Sequence, residues 1–302
     1  MKTALVTGDL GFVGRRMVPA LEARGYAVTG LDIKRGPHED VRDWFRTSDE
    51  RYDLVVHLAA VVGGRLTIDG APLSVAVDLA IDAEFFGWAV RVGQPRVVYY
   101  SSSAAYPVDL QWRHIAHPYL HEDDLTWGEE DTVDERGPGS IGVPDMTYGW
   151  AKLTGEYLAR FAADQGVIVH IMRPFSGYGE DQDLDYPFPS FAARARRRDD
   201  PFEVWGDGTQ SRDFIHIDDV VEGTLAAVEK DYRAPLNLGT GRAVTFNELA
   251  RMFMIEAGYT GIIRNLPAKP TGVHHRVAYV GNSLPIHRPR ITLEEGIRRS
   301  LA

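Results

Sequence analysis

The stretch "DMTYGWAK" places a tyrosine and a lysine, Tyr148 and Lys152, four residues apart. Residues at positions i and i+4 share one face of an α-helix, so the phenol and the ammonium are expected to be neighbours. A tyrosine titrates near pH 10 and is a poor base at neutral pH, but a nearby ammonium stabilises its phenolate. The pair therefore indicates proton exchange with a substrate hydroxyl, provided that other parts of an active site accompany it.

A glycine-rich turn near the N-terminus supplies one such part. Residues 7–14 read "TGDLGFVG" between a predicted strand and a predicted helix, and Gly8, Gly11 and Gly14 recur every third position. Glycine lets a backbone turn tightly and approach a diphosphate, whose charge is stabilised by the helix N-terminus. The spacing predicts a dinucleotide-binding site.

An acidic residue follows the turn at the distance that a dinucleotide site requires. Asp32 ends the second predicted strand, where its carboxylate is expected to accept hydrogen bonds from both hydroxyls of an adenosine ribose. This favours NAD as the cofactor, while the neighbouring Lys34 and Arg35 leave NADP as an alternative. Asp9 lies within the turn and must point away from a diphosphate, because like charges repel.

The order of predicted elements indicates an α/β protein with a doubly wound parallel sheet, a Rossmann fold. Short runs rich in Val, Ile and Leu, such as "TALVTG", "DLVVHLAA" and "RVVYYSSS", alternate with helical stretches in the first half of the chain. We predict an NAD-binding domain over residues 1–172, to which residues 213–240 return. A smaller, mixed α/β lobe for the substrate is expected mainly over residues 173–302.

Composition excludes several classes of function. The chain of 302 residues carries a formal net charge of −10, which argues against binding of nucleic acid. It contains no cysteine, so thiolate nucleophiles and disulfides are excluded. No window approaches the roughly twenty apolar residues of a membrane span, and no secretory signal is recognisable. We therefore expect a cytoplasmic protein without membrane contact.

Taken together, the motifs resemble the extended short-chain dehydrogenases/reductases, specifically the NAD-dependent epimerases and dehydratases of nucleotide sugars. The segments that carry the resemblance are "TGDLGFVG", "DVRD", "HLAA", "YGWAK", "RPFSGYG", "WGDGTQSRDFIHIDDVVEG" and "LNLGTG". The resemblance implies that Tyr148 is the acid/base, that Lys152 tunes it, and that Ser102 or its neighbour Ser103 holds the reacting oxygen.

The same resemblance implies which residues bind the cofactor and the substrate. The cofactor-binding residues would be Gly8, Gly11, Phe12, Val13, Gly14, Asp32, Asp40, Val41, Leu58, Ala59, Ala60, Tyr148 and Lys152. A nucleotide-diphosphate sugar would contact Ser102 and Ser103, and Arg212 and Arg276 would bind its diphosphate. Arginine suits this task because its planar guanidinium donates two parallel hydrogen bonds to phosphate.

Within the family, the chain looks most like the GDP-mannose 3,5-epimerase and GDP-fucose synthase branch, but it departs from that pattern. Ala104 stands where that branch has a catalytic cysteine, and Ser103 with Ala104 replaces the Asp-Glu pair of the 4,6-dehydratases. Asp78 and Ser176 stand where many relatives have asparagine. The nucleotide base, the sugar and the reacting carbon stay open.

The reaction that needs only Ser, Tyr, Lys and NAD is epimerisation through a transient 4-keto-sugar, with hydride passed to and from bound NAD. A dehydratase or a 4-keto-sugar reductase is the alternative, followed by a non-catalytic cofactor-binding protein. The polar segment 108–145 offers further acid/base candidates, namely His114, His117, His121, Glu122 and Asp123. Their spacing does not indicate a metal site, and we predict none. Relatives commonly pair through two helices of each subunit, which predicts a homodimer.

Overall fold

A parallel sheet of six strands forms the centre of the protein. The computed structural model describes residues 1–62, 72–112, 118–125 and 142–302. The strands of this sheet are β1 (Lys2–Thr7), β2 (Tyr26–Leu31), β3 (Leu54–His57), β4 (Arg96–Tyr100), β5 (Ile168–Pro174) and β10 (Leu236–Leu238). Their order is β10-β5-β4-β3-β1-β2, and all neighbours are parallel. Strand order reverses between β1 and β3, which is where doubly wound sheets bind ligands.

Helices cover the strands, and local sequence sets several of their ends. They are α1 (Gly14–Glu22), α2 (Val41–Thr47), α3 (Pro72–Val75), α4 (Val77–Val92), α5 (Met146–Asp164), α6 (Pro187–Arg197), α7 (Ile217–Glu229), α8 (Phe246–Glu256) and α9 (Leu293–Leu301). Helix α2 begins where the Asp40 carboxylate accepts from the Arg42 N–H, and α4 ends at Gly93 in the left-handed conformation. No helix of the described residues is long and apolar enough to span a membrane.

The two faces of the large sheet are buried by different helices. On one face, Met17 of α1 and Val221 of α7 pack against the sheet. On the other face, Phe45 of α2, Phe85 of α4 and Ala159 of α5 form a second apolar layer. Helices on both faces of a parallel sheet are the arrangement that the alternating sequence pattern predicts, and the predicted fold class is confirmed.

Smaller sheets and three helices build the remainder of the chain. Their strands are β6 (Ser176–Tyr178), β7 (Phe202–Trp205), β8 (Ser211–Arg212), β9 (Phe214–His216), β11 (Val244–Thr245), β12 (Ile263–Leu266) and β13 (His275–Arg276). Residues of α6, α8 and α9 share an apolar core with β7, including Phe188, Phe253 and Ile297. Helix α7 and strand β10 belong instead to the large sheet and its covering layer. The numerical domain boundaries stay a prediction.

A buried ion pair joins β5 to α5. Arg173 Nε and Nη2 donate to the two carboxylate oxygens of Glu156 at 2.9 and 2.7 Å, and both side chains are 1% exposed. The Ser101 hydroxyl, directly after β4, also hydrogen-bonds to Glu156. Arg173 further donates to the Tyr106 hydroxyl at 3.0 Å. The pair thereby fixes helix α5 relative to the ends of two adjacent strands.

Removing one partner of this pair is expected to be costly, because the other charge stays buried without compensation. We expect Glu156→Gln to reduce the free energy of unfolding by about 3–5 kcal/mol. Urea denaturation measures this change. The control is Glu229→Gln, because Glu229 pairs with Arg24 at the surface and such pairs contribute about 0–1 kcal/mol. Equal losses in the two variants would contradict the structural role of the buried pair.

Candidate active site

The glycine turn leaves no room for side chains. Gly8 has a φ of +71°, and a Cβ there would lie 2.9 Å from the backbone nitrogen of Ala59. A Cβ on Gly14 would lie 2.5 Å from the Cα of Asp9. The Gly11 N–H donates to the Gly8 carbonyl at 2.9 Å, which closes the turn. The turn therefore brings the end of β1, the start of α1 and the chain after β3 into close contact.

Asp9 points away from this turn, as the sequence requires. Its side chain is buried against Gly30, where a Cβ would overlap the carboxylate. Arg35 donates to both of its oxygens, through Nη1 at 3.0 Å and through Nη2. Arg35 also pairs with Glu39 at 2.9 Å. Because Arg35 already faces two carboxylates, it is poorly placed to accept a 2′-phosphate, and this counts against NADP.

Asp32 is buried beside the turn and is held in place by backbone donors. Its Oδ2 accepts from the Leu10 N–H at 3.0 Å, and its Oδ1 accepts from the Lys34 N–H at 2.9 Å. Each carboxylate oxygen has two lone pairs, so both oxygens keep capacity for ribose hydroxyls. Lys34 itself donates to the Leu10 carbonyl at 3.2 Å. The crowded glycines and this fixed acid fit the diphosphate and the adenosine ribose of NAD.

The other predicted cofactor residues lie on three nearby segments of the chain. The N–H groups of Leu58 and Ala59, after β3, donate to the Thr7 hydroxyl at 3.2 Å each. Ala60 follows them on the same segment. Phe12 and Val13 lie between Gly11 and the first turn of α1. Asp40 and Val41 lie at the start of α2, where Arg42 lowers the pKa of Asp40 and Val41 is buried.

Ser102, Tyr148 and Lys152 are brought together by the contact between α5 and the segment after β4. A Cβ on Gly149 would overlap the Ala104 carbonyl, so only glycine permits this approach. The Ser102 hydroxyl is close enough to the Tyr148 phenol to lower its pKa, and the Lys152 Nζ lies 5.8 Å from the centre of the Tyr148 ring. Ser103 is buried. Of the two serines, Ser102 is therefore the one that faces the phenol.

The pKa of Tyr148 is subject to opposing effects, of which the sequence indicates only the lowering by Lys152. Burial raises the pKa of Tyr148, and the carboxylates of Asp78 and Asp82 raise it further. Lys152 and the Ser102 hydroxyl lower it, but the net direction is upward. In the protein alone, the ammonium therefore offsets only part of the cost of forming a buried phenolate.

Lys152 is buried among groups that sequence reasoning missed. Its Nζ lies 5.3 Å from the centre of the Tyr99 ring, and the Tyr99 hydroxyl donates to Asp82 Oδ2 at 2.6 Å. Burial acts to lower the pKa of Lys152, but Asp82, Tyr148 and Asp78 outweigh it, so the pKa rises. Asp82 thus holds the ammonium in its charged form. The available signal was an aspartate in the predominantly apolar run "LAIDAEFF".

A buried histidine completes the surroundings of Asp82. His57 Nε2 lies 3.3 Å from Asp82 Oδ1, and His57 Nδ1 lies 2.8 Å from the Thr7 hydroxyl. Because that hydroxyl already accepts two backbone N–H groups, its own hydrogen points to Nδ1. His57 is then neutral and donates from Nε2 to Asp82, which agrees with a pKa lowered by burial. His57 thereby links Thr7, at the start of the glycine turn, to Asp82.

The two predicted diphosphate-binding arginines lie side by side. Arg212 of β8 and Arg276 of β13 are direct partners across the parallel strand pair. Arg276 pairs with Asp145 at 2.9 Å and donates to the Gln111 amide oxygen at 2.6 Å. Asp145 immediately precedes α5 and is three residues from Tyr148, so this ion pair holds Arg276 near the start of that helix.

The acid/base candidates of the polar segment have different surroundings. Glu122 is buried and accepts from the Asn237 N–H at 3.0 Å and the Asn282 amide at 2.9 Å. His121 stacks on Tyr279 with ring centres 4.1 Å apart, and Asp123 is exposed. These contacts join residues 118–125 to β10 of the large sheet and to the segment that contains Tyr279 and Asn282. His114 and His117 lie outside the described residues.

Comparison with known proteins identifies the family of the chain. The sequence profile of the NAD dependent epimerase/dehydratase family matches residues 4–239. The chain belongs to this family. The predictions of the family, of an enzyme and of NAD as its cofactor are thereby confirmed.

Relatives of this epimerase/dehydratase family member catalyse different reactions. The chain is 30% identical to a dTDP-4-dehydro-6-deoxy-D-allose reductase of Streptomyces bikiniensis, over 91% of this chain and 87% of the relative. It is 28% identical to the GDP-mannose 3,5-epimerase of Arabidopsis thaliana, over 97% and 79%. Among solved structures it resembles MoeE5 in complex with UDP-glucose and NAD, with 28% identity, 99% and 97% coverage and a TM-score of 0.77.

Because the glycine turn is tightly packed, we expect one added methyl group to weaken the binding of NAD strongly. In Gly14→Ala the new Cβ meets backbone atoms, and overpacking of this kind costs about 1–3 kcal/mol. We expect NAD affinity to fall by about 5- to 150-fold, as measured by calorimetric titration. Gly87→Ala is the control, because no atom lies within 4 Å of a Cβ there. Unchanged affinity in Gly14→Ala would show that the turn does not hold the cofactor.

Proposed function

We propose that the protein is an NAD-dependent nucleotide-sugar epimerase that acts through a transient 4-keto-sugar. The observation that carries this proposal is the contact of the Ser102 hydroxyl with Tyr148, one helical turn from the buried ammonium of Lys152. The arrangement provides a hydroxyl to hold the reacting oxygen and a phenol to exchange its proton. Both lie at the carboxyl end of β4, the edge at which doubly wound sheets bind ligands.

The residues at this edge are suited to hold NAD. Gly8, Gly11 and Gly14 would admit the diphosphate, and Asp32 would accept the ribose hydroxyls. When bound, NAD supplies a reversible acceptor for the hydrogen removed from the sugar carbon. The protein supplies the proton chemistry: Tyr148 takes the hydroxyl proton as the carbon is oxidised and returns it as the carbon is reduced.

Substrate binding is assigned to the paired arginines. Arg212 and Arg276 would bind the diphosphate of a nucleotide sugar, since guanidinium groups on adjacent strands concentrate positive charge in an otherwise acidic protein. The ion pair of Arg276 with Asp145 would place this diphosphate near the start of α5. Ser102, with Ser103 beside it, would contact the sugar.

The residues after Ser102 favour epimerisation over dehydration. Ser103 and Ala104 are buried, and neither side chain can act as an acid at neutral pH. A 4-keto-sugar reductase is the second candidate, and the 30% identity to a dTDP-4-dehydro-6-deoxy-D-allose reductase supports it. An epimerase returns the hydrogen to the sugar and needs no added cofactor per turnover, whereas a reductase consumes reduced cofactor.

Replacement of the phenol tests the proposed chemistry. We expect Tyr148→Phe to lower kcat by about 10²- to 10⁴-fold, with the fold and NAD binding retained. The assay incubates the protein with GDP-, UDP-, dTDP- and CDP-sugars and measures epimers, keto-sugars and NADH. Tyr157→Phe, on an exposed site of the same helix, is the matched control. Full conversion by Tyr148→Phe would refute the assigned role, and stoichiometric cofactor use would favour the reductase.

We also propose that two copies of the chain pair through α4 and α5. These adjacent helices expose apolar side chains, namely Leu79, Val90, Trp150, Tyr157 and Phe161. An apolar face shared by two helices is typical of a subunit contact, and a second copy offers a matching face by two-fold symmetry. A cytoplasmic location stays a prediction.

Sedimentation tests this pairing. We expect Phe161→Glu to convert a dimer into a monomer, because burying a carboxylate in an apolar contact is unfavourable. Ile255→Glu is the control, since Ile255 is an exposed apolar residue of α8, far along the chain from this face. A monomeric unmodified protein, or a Phe161→Glu variant that stays dimeric, would contradict the proposal.

A further inference from the structure

Asp78 is a buried acid beside the catalytic pair to which the proposed chemistry assigns no role. It lies in the first turn of α4 and is 0% exposed. Its Oδ1 accepts from the Val61 N–H at 2.6 Å. Its Oδ2 is buried and has no hydrogen-bond partner among the described residues. A buried carboxylate oxygen without a donor is costly when charged, and protonation removes that cost.

The charges around Asp78 do not balance. Lys152 of α5 is the cation that acts on it, and Asp82, one turn along α4, is a second carboxylate acting on the same cation. Tyr148, also on α5, interacts with both carboxylates. His57 and Tyr99 face Asp82 and donate to it. One ammonium therefore acts on two carboxylates. Asp82 also accepts hydrogen bonds from two side chains, whereas Asp78 accepts none from a side chain of the described residues.

The two carboxyl groups therefore differ in the hydrogen bonds that they accept. Hydrogen bonds to a carboxylate favour its charged form, and Asp82 receives two of them from side chains. Asp78 receives one, from the backbone of residue 61. Burial raises the pKa of Asp78 to about 6, while Lys152 and the Val61 N–H act in the opposite direction. Asp78 is therefore the group in this cluster that changes charge close to neutral pH.

Building on the function proposed above, we propose that Asp78 is a positioning residue whose buried carboxyl takes up a proton and thereby sets how strongly Lys152 acts on Tyr148. With Asp78 protonated, Asp82 is the one carboxylate that acts on Lys152, and no further negative charge opposes the phenolate. With Asp78 ionised, a second negative charge opposes it. The effect is reciprocal, so that each phenolate formed at Tyr148 strengthens the hold of Asp78 on its proton.

The direction of the pH dependence follows from this linkage. Below about pH 6 Asp78 is protonated, and the pKa of Tyr148 is lower than it is above that pH. In Asp78→Asn the charge is absent at every pH, while the amide oxygen can still accept from the Val61 N–H. At an effective dielectric constant of about 20, one nearby buried charge shifts such a pKa by about one pH unit.

Nuclear magnetic resonance of the tyrosine ring measures this effect without any turnover. The protein carries carbon-13 at the ζ position of its tyrosines, and Tyr148→Phe assigns the resonance of Tyr148. We expect that resonance to move in a step between about pH 5 and pH 7 in the unmodified protein, as Asp78 changes charge. In Asp78→Asn the step is absent, and the phenol begins to ionise at a pH lower by about one unit.

The control removes a charge from the same helix without touching the cluster. Glu84 lies on α4 and pairs with Arg46 at 2.8 Å, so Glu84→Gln is expected to keep both the step and the onset of phenol ionisation. A step that is missing from the unmodified protein, or that persists in Asp78→Asn, overturns the inference. If Asp78→Asn fails to fold, the titration of the unmodified protein decides alone.

The role of Asp78 and the proposed epimerase function can be refuted independently of each other. A step at Tyr148 in a protein that converts no nucleotide sugar would retain the linkage and refute the epimerase. Conversion of a nucleotide sugar without the step would retain the epimerase and refute the role of Asp78.

Discussion

The burial of a single ammonium constrains this site more than any other interaction. A lysine with 5% of its surface exposed must either lose its proton or be held by anions, because charge is poorly solvated inside a protein. Asp82 and Asp78, which lie one turn apart on α4, are carboxylates whose charges favour the ammonium form of Lys152. The spacing between α4 and α5 therefore matters, and Gly155 sets it, since a Cβ there would lie 2.7 Å from Asp82 Oδ2. Tyr148 takes its position from the same helix.

The partner of Tyr148 is fixed by separate contacts on the sheet. Ser101 hydrogen-bonds to Glu156, whose ion pair with Arg173 ties β5 to α5. Ser102, the next residue, accepts from the Ala104 N–H at 3.1 Å, which orients its hydroxyl. Helix α5 thus contacts the sheet at two places. Glu156 pairs with Arg173 of β5, and Gly149 packs against the Ala104 carbonyl after β4. A serine and a tyrosine that are 46 positions apart in sequence meet because both lie on rigid elements.

Local patterns predicted the parts of the site whose chemistry depends on short spacing. The glycine turn and the Tyr148–Lys152 pair each follow from residues a few positions apart. Asp32 follows from its place at the end of the second predicted strand, and the fold follows from alternating strands and helices. The charge network could not be predicted in the same way. His57, Asp82 and Tyr99 lie on three different elements and meet only in the tertiary structure. From the sequence, Asp78 could be recognised only as a departure from the family pattern, and the residues that surround it could not be predicted.

Local pairing of charges is compatible with the anionic substrate proposed above, although the protein is acidic. Asp9 is neutralised by Arg35, Asp145 by Arg276, and Asp181 by Arg15, so the net charge of −10 does not act uniformly at the site. Arg276, one of the two arginines proposed to bind the diphosphate, is held by Asp145 at the start of α5. Removing either partner of this pair would leave the other charge without its compensation.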